Sequence, residues 1–305
     1  MTGARAGVLV AAKPAGVTSF DVVATVRRAL RVRRVGHAGT LDPDATGVLP
    51  ILIGEATKLM PYLADQDKAY RVAVRFGVRT DTLDLSGRIL ETRPVGPLDR
   101  TTLQGIAGRF VGRIKQVPPM YSAVHHEGRR LYELAREGVE VEREPRDVVV
   151  HGIRVDDVGE ASATLTIVCG KGTYVRVLAA DLGEALGVGA AVERLERTRV
   201  GSFTLDDAVA WVDITGGTLE TLWRRVLPPE AALADWPVVD VDAAGARAFV
   251  HGQAVAAPSP GSVTFVRVHD RSGRLLGIGQ RADDTRVRPV RILHVDDPGT
   301  RVLPA

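Results

Sequence analysis

"DKAYRVAVRFG", residues 67–77, alternates with the period of a strand: Tyr70, Val72, Val74 and Phe76 share one face, with Arg71 and Arg75 on the other. By that periodicity Tyr70 belongs to the core. Upstream, "VLVAA" (8–12) and "GVLPILIG" (47–54) read as buried strands. Between them "KPAGVTS" (13–19) supplies turn chemistry and a Ser or Thr cap for a helix over about 21–30. Val22, Val23, Val26 and Leu30 fall at helical spacing there, which leaves Arg27, Arg28 and Arg31 facing outward. "EATKLMPYLADQ" (55–66) reads as a second helix, and "TDTLDLSGRILE" (80–91) as a turn followed by a strand. Further on, Ala163–Cys169 is a strand and Gly170–Gly172 a turn; Tyr174 and Arg176 lie on a short extended piece, and a helix follows. Strands interspersed with helices, without a regular βαβ repeat, predict an α+β fold built on a mixed sheet.

Residues 118 to about 146 interrupt this pattern. They open on Pro118-Pro119, carry a helical segment over about Arg129–Glu137 stopped at Gly138, and leave through Pro145. Such a block is an excursion from the core, built as functional loops are. Proline density rises again over 226–237, which predicts a boundary between a first domain, 1–236, and a second, 237–305. The second reads as a small β-rich module: a hairpin over 265–280 turning at Asp270-Arg271-Ser272-Gly273, then a strand over 286–295. From residue 238 onward nine Arg stand against seven Asp and no Glu, so the module is only mildly basic.

A length of 305 residues suits two domains, and 45% hydrophobic with 25% charged residues is globular composition with ample material for a core. The net charge is only +3, so any nucleic-acid binding has to come from a local patch. Arg27, Arg28, Arg31, Arg33 and Arg34 provide one. A single cysteine, Cys169, excludes an internal disulfide framework and a cysteine zinc cluster, and suits a reducing compartment. The apolar run 6–12 reads as a buried strand in preference to a secretory signal, and nowhere do 18 apolar residues run together. These features predict a cytoplasmic protein without a membrane span.

"RRVGHAGTLDPDATG" (33–47) concentrates two arginines, a histidine, carboxylates and glycines with no apolar run to bury them. The adjacent pair His125–His126 cannot converge on one metal, and neither Gly170–Thr173 nor "GVGAAV" (187–192) has the spacing of a phosphate or dinucleotide loop. "DPDAT" (42–46) matches the Asp-x-Asp-x-Thr of magnesium-dependent aspartyl phosphotransferases, yet it lacks the apolar strand that should precede it. What fits the whole stretch is a loop that presents one carboxylate. Pro43 biases Asp42 toward an extended backbone, and Gly36, Gly39 and Gly47 let a ligand approach closely. A non-catalytic RNA-binding or RNA-folding protein is the remaining alternative.

Six stretches, "KPAGVTSFDVV", "GHAGTLDPDATGVLPILIGEATKLMPYL", "DKAYRV", "FGVRTDTLDLSG", "PPMYSAVHHEGRRLYELAREG" and "CGKGTYVRVLAADLGEALG", occur in that order over about 8–205. Together they resemble the successive motifs of the TruB-type tRNA pseudouridine synthases. The tail from about 238 is similar to the PUA-like module that such enzymes carry. The resemblance implies a largely antiparallel sheet flanked by helices, and isomerisation of uridine 55 in the tRNA T-loop. It further implies tRNA as partner, no metal or other cofactor, no obligatory protein partner, and action as a monomer.

The resemblance also assigns roles. Asp42 matches the catalytic aspartate, which attacks the sugar C1′ or the base C6, or assists through a glycal; all three routes stay open. An anion in a dry pocket needs a partner, since desolvation alone favours its neutral form. Arg176 matches the arginine that supplies this charge. Tyr70 is implied to stack on the target uracil and to take or relay the C5 proton. Tyr174 and Leu195 match residues bounding the base pocket, and Lys13 supports the catalytic loop. A T-loop uridine has to be extruded to react. His37 matches the residue that fills the vacated space, and Asp84 a further acid that is structural or RNA-orienting. The arginines of 27–34 and the excursion would then grip phosphates and the shape of the loop.

Overall fold

Residues 5–122, 124–257, 264–283 and 285–294 are described in a computed structural model of the protein. The chain divides into two units: Met1–Pro43, Val48–Ala64 and Gly201–Ala305 form one, Asp44–Gly47 and Asp65–Val200 the other.

The first unit holds β1 (Gly7–Lys13), α1 (Ser19–Ala29), β2 (Val35–His37), and most of β3 (Thr46–Ile53) and of α2 (Met60–Asp65). Apart from Thr46, β3 is buried along its whole length, as its unbroken apolar run requires. β2 pairs with it antiparallel, His37 opposite Ile51. Thr18 and Asp21 form a capping box that starts α1, and Val22, Val23 and Val26 are the buried stripe. All five arginines between 27 and 34 are exposed. α1 ends in a Schellman motif: Val32 N–H donates to Arg27 O and Arg31 N–H to Arg28 O. Its left-handed residue is Arg31, at φ 53°, where glycine is usual. The helix expected over 55–66 is in fact a 3-10 turn, Gly54–Leu59, followed by the short α2. Pro61 has no N–H to carry a helical ladder across that junction, but tolerates the first turn of a new helix.

The C-terminal part of this unit has its own five-stranded sheet, ordered Val238–Val241, Phe265–Asp270, Leu275–Arg281, Arg286–Ile292 and Val255–Ala256. Its core gathers Phe249, Val266, Val268 and Val287. The predicted hairpin turn is present, with Asp270 Oδ1 accepting from the backbone and hydroxyl of Ser272. Trp236 and Phe265 stack at 5.6 Å and both meet Tyr62 edge-on, while Lys58 Nζ donates to Ile292 O. The last stretch of the predicted 237–305 module, residues 295–305, lies outside the described residues.

The second unit is built on β4 (Lys68–Phe76), β5 (Val78–Thr80), β6 (Ile89–Thr92), α3 (Arg100–Gly108), β7 (Gly112–Gln116), β8 (His125–His126), β9 (Arg129–Arg130), α4 (Leu131–Arg136), β10 (Arg146–Val158), β11 (Ser162–Cys169), α5 (Val175–Ala185) and β12 (Ala190–Val200). Its main sheet runs β12-β4-β11-β10-β7, with each neighbouring pair antiparallel. The expected alternation holds along β4, where Val72, Val74 and Phe76 are buried, and β11 likewise buries every second residue. Val72 and Val74 of β4, Leu165 and Ile167 of β11, Leu103 of α3, and Leu178 and Leu182 of α5 share one apolar cluster. Thr46 and Gly47 also belong to this unit and pair in parallel with Glu196 and Arg197. Gly47 sits at φ 105°, and a Cβ there would fall 2.2 Å from Arg197 O, so neither the backbone angle nor the space admits another residue.

The excursion contains the expected helical segment as α4, ended by Gly138 in a Schellman motif through Val139 N–H to Leu134 O. Preceding it is a two-residue hairpin, β8 on β9, too short to leave a periodic signal in the sequence.

Candidate active site

In the first unit, the loop between β2 and β3 carries Asp42 and is held on both sides of it. Ser19, at the start of α1 and buried, accepts from Leu41 N–H at 2.9 Å and donates to Leu41 O at 3.2 Å. Lys13, 1% exposed at the end of β1, donates to the carbonyls of Pro14 and Pro43, each at 2.8 Å. Gly16 N–H donates to Pro43 O as well. The residues flanking Asp42 are thus fixed from inside, while Asp42 itself stays half-buried. Lys13 suits this task because an ammonium on a flexible stem can satisfy two carbonyls at once. His37, on β2, is half-buried and meets the ring of Phe20 edge-on at 5.7 Å; Phe20 is 62% exposed.

In the second unit, Tyr70 is partly buried against the sheet core, on the face that periodicity gave it. On β12, Arg197 stands opposite Tyr70 and Leu195 opposite Val72, so Leu195 also borders that core. Arg176 belongs to the first turn of α5, not to an extended piece, and is 5% exposed. Its Nη1 donates to Thr82 O at 2.6 Å and its Nη2 to Tyr121 O at 2.8 Å. Asp84 Oδ2 lies 3.6 Å from the same guanidinium. That carboxylate is ordered in turn, its Oδ1 accepting from Thr82 Oγ1 and from the hydroxyl and N–H of Ser86. A buried guanidinium held by two carbonyls and a carboxylate has one geometry, which suits a fixed cation.

Tyr174 is the residue before α5 and provides no side-chain cap. Its backbone is gripped instead by the side chain of Gln116, whose Oε1 accepts from Tyr174 N–H at 2.9 Å and whose Nε2 donates to Tyr174 O at 3.1 Å. Sequence reasoning missed Gln116 altogether, since it stands two residues before the 118–146 block and outside every motif singled out.

The two groups of expected site residues therefore distribute as Lys13, His37 and Asp42 in the first unit and Tyr70, Tyr174, Arg176 and Leu195 in the second. "DPDAT" lies in a loop that leads into β3 instead of ending an apolar strand, so the phosphotransferase alternative loses its structural context. Among the described residues no helix is long and apolar enough to cross a membrane.

Residues 27–175 match the TruB family pseudouridylate synthase N-terminal domain. Residues 176–234 match the tRNA pseudouridylate synthase B C-terminal domain, and 237–293 the C-terminal domain of pseudouridine synthase II TruB. The protein is a pseudouridine synthase, an isomerase. Among its relatives, the tRNA pseudouridine synthase B of Moorella thermoacetica is 45% identical over 295 residues, spanning 92% of this chain and 97% of its own. That of Pseudomonas putida is 42% identical over 291 residues, spanning 94% and 95%. The chain belongs to the TruB family. Its fold is shared with a chain in the structure of an H/ACA RNP bound to a substrate RNA containing 2′-deoxyuridine, with a TM-score of 0.72, 22% identity, and 94% and 85% of the two chains covered. A chain of a Cbf5-Nop10-Gar1 complex gives 0.70, 24%, 95% and 84%.

Proposed function

We propose that the protein converts uridine 55 in the T-loop of tRNA to pseudouridine, with Asp42 as the essential carboxylate. The N1–C1′ bond breaks, a C5–C1′ bond forms, and the C5 proton is exchanged for one on N1, so the reaction is balanced without a co-reactant. The observation that carries this reading is the pinned loop: Ser19 and Lys13 fix Leu41 and Pro43, and Asp42 between them is half-buried. A carboxylate placed this way reacts as a preorganised group and not as a mobile surface acid. Arg176 acts as the fixed cation of the site, Tyr70 as the ring that stacks on uracil and relays the C5 proton, and Tyr174 and Leu195 as walls of the base pocket.

The uridine is flipped out of the T-loop, and His37 fills the space it leaves. The five exposed arginines of 27–34 and the excursion at 118–146 hold phosphates and loop shape. The module beginning at 237 adds a mildly basic RNA-binding surface. The protein works in the cytoplasm as a monomer, with tRNA as its partner and no metal or other cofactor.

The test is release of the C5 hydrogen from tRNA labelled at uridine C5, with chelator present. Wild-type protein is expected to release it, and Asp42→Asn, nearly isosteric, to release none while binding tRNA within about tenfold, roughly 1.4 kcal/mol. Full turnover by that variant would remove Asp42 from the chemistry. Tight tRNA binding by the wild type without release would leave an RNA-binding protein.

A further inference from the structure

Gln116 is 2% exposed and ends β7, the edge strand of the second unit's sheet. Its side-chain amide makes a closed pair of hydrogen bonds with both backbone polar groups of Tyr174. In effect the amide behaves as one residue of an added strand. Tyr174 O also accepts from Leu178 N–H in the first turn of α5, so the peptide that Gln116 holds is the one on which the helix is built. Arg176 follows two residues later. Five residues beyond Gln116, across the buried pair Pro118-Pro119, Tyr121 O receives Nη2 of Arg176. The stem of the excursion therefore touches 174–176 at both ends of a stiff six-residue segment.

We infer that Gln116 is a positioning residue for the isomerase reaction: it fixes the peptide from which Tyr174 and Arg176 project and couples that peptide to the stem of the RNA-gripping excursion. This rests on the function proposed above. Apart from a protonated glutamic acid, no side chain of this length presents a neutral donor and acceptor side by side, which a peptide N–H and C=O pair demands. Loss of the amide removes the acceptor that holds the part-buried Tyr174 N–H and frees the start of α5 to turn. A shift of about 1 Å in catalytic groups is enough to cost on the order of 100-fold in rate.

The test compares Gln116→Ala and Gln116→Glu with wild type, measuring kcat, KM and tRNA affinity across pH. Gln116→Ala is expected to lower kcat by about tenfold or more with tRNA Kd changed less than about twofold. Gln116→Glu is the sharper probe. Protonated, the acid donates to Tyr174 O and accepts from Tyr174 N–H as the amide does; ionised, it opposes the carbonyl. Because burial favours the neutral acid, its kcat is expected to approach wild type near about pH 6 and to fall by about tenfold relative to wild type near about pH 8.5. Wild-type kcat in both variants at every pH overturns the inference, as does a deficit in Gln116→Glu that ignores pH and tracks a lowered melting temperature. Absence of turnover by the wild type itself would instead strike the function on which the inference rests.

Discussion

Arg176 Nη1 lies 3.6 Å from Asp84 Oδ2, with the two side chains only 6% and 21% exposed. Asp84 is itself ordered by three donors from Thr82 and Ser86. Replacing it by Ala leaves a buried cation and two hydroxyls short of their acceptor. Asp84→Ala is expected to lose about 2 kcal/mol of stability and most of its turnover, since removing an acceptor from charged and buried donors costs that much. Denaturant unfolding alongside C5-hydrogen release checks both halves. A variant with unchanged stability would show that Arg176 is held without the Asp84 carboxylate.

Arg31 adopts φ 53° to complete the Schellman motif at the end of α1. The left-handed region costs a non-glycine residue roughly 1 kcal/mol, so Arg31→Gly should stabilise the protein by about that amount. The same change removes one of the five exposed guanidiniums and should weaken tRNA binding, with a flatter dependence on salt. A thermal melt and a salt titration of tRNA affinity read the two effects separately. Stability gained without affinity lost would mean that Arg31 faces away from RNA.

Gly47, five residues after Asp42, meets the Arg197 backbone so closely that a Cβ would stand 2.2 Å from its carbonyl oxygen. Gly47→Ala adds that collision to a φ of 105° and is expected to destabilise the protein by about 3 kcal/mol, against about 1 kcal/mol or less for the open Gly16. Chemical denaturation of the pair measures the contrast.

Lys68 and Cys169 face each other across β4 and β11, and both are buried. Burial, helped by Arg197, pushes the Lys68 ammonium from its ordinary 10.5 down to about 8. The unfolded chain then binds more protons between those values, so stability rises with pH through that window. Burial pushes the Cys169 thiol up from 9.0 to about 11, which makes stability fall with pH between those values. The opposing slopes overlap above pH 9.0, so stability should climb from about 8 to 9 and then level off. Cys169→Ala should extend the climb toward 10.5, and Lys68→Met should abolish it. Unfolding free energies at a series of pH values settle this, and a profile identical in all three proteins would contradict it.

Two strands of the second unit's sheet, β4 and β11, were legible because a strand's side-chain period is local: Tyr70, Val72 and Val74 announce their face without reference to any other segment. The helix over 55–66 was misjudged because apolar spacing does not register a single missing N–H at Pro61. Among the site residues, composition placed the arginine run and the turn chemistry placed Asp42 in a loop. The roles of Arg176, Tyr174 and Leu195 came only through family resemblance, since nothing local separates them from core or surface residues.

By itself the sequence determined the strands at 8–12, 47–54, 67–77 and 163–169, the first helix, the hairpin at 265–280, and which loop is rich in reactive side chains, because backbone period, proline and glycine act over a few residues. Only the tertiary structure decided what holds those side chains still. Ser19, a helix-cap candidate by position, reaches Leu41 22 residues on, and Gln116 reaches Tyr174 across 58. Hydrogen bonds at that separation depend on where the fold returns the chain, which no local pattern encodes.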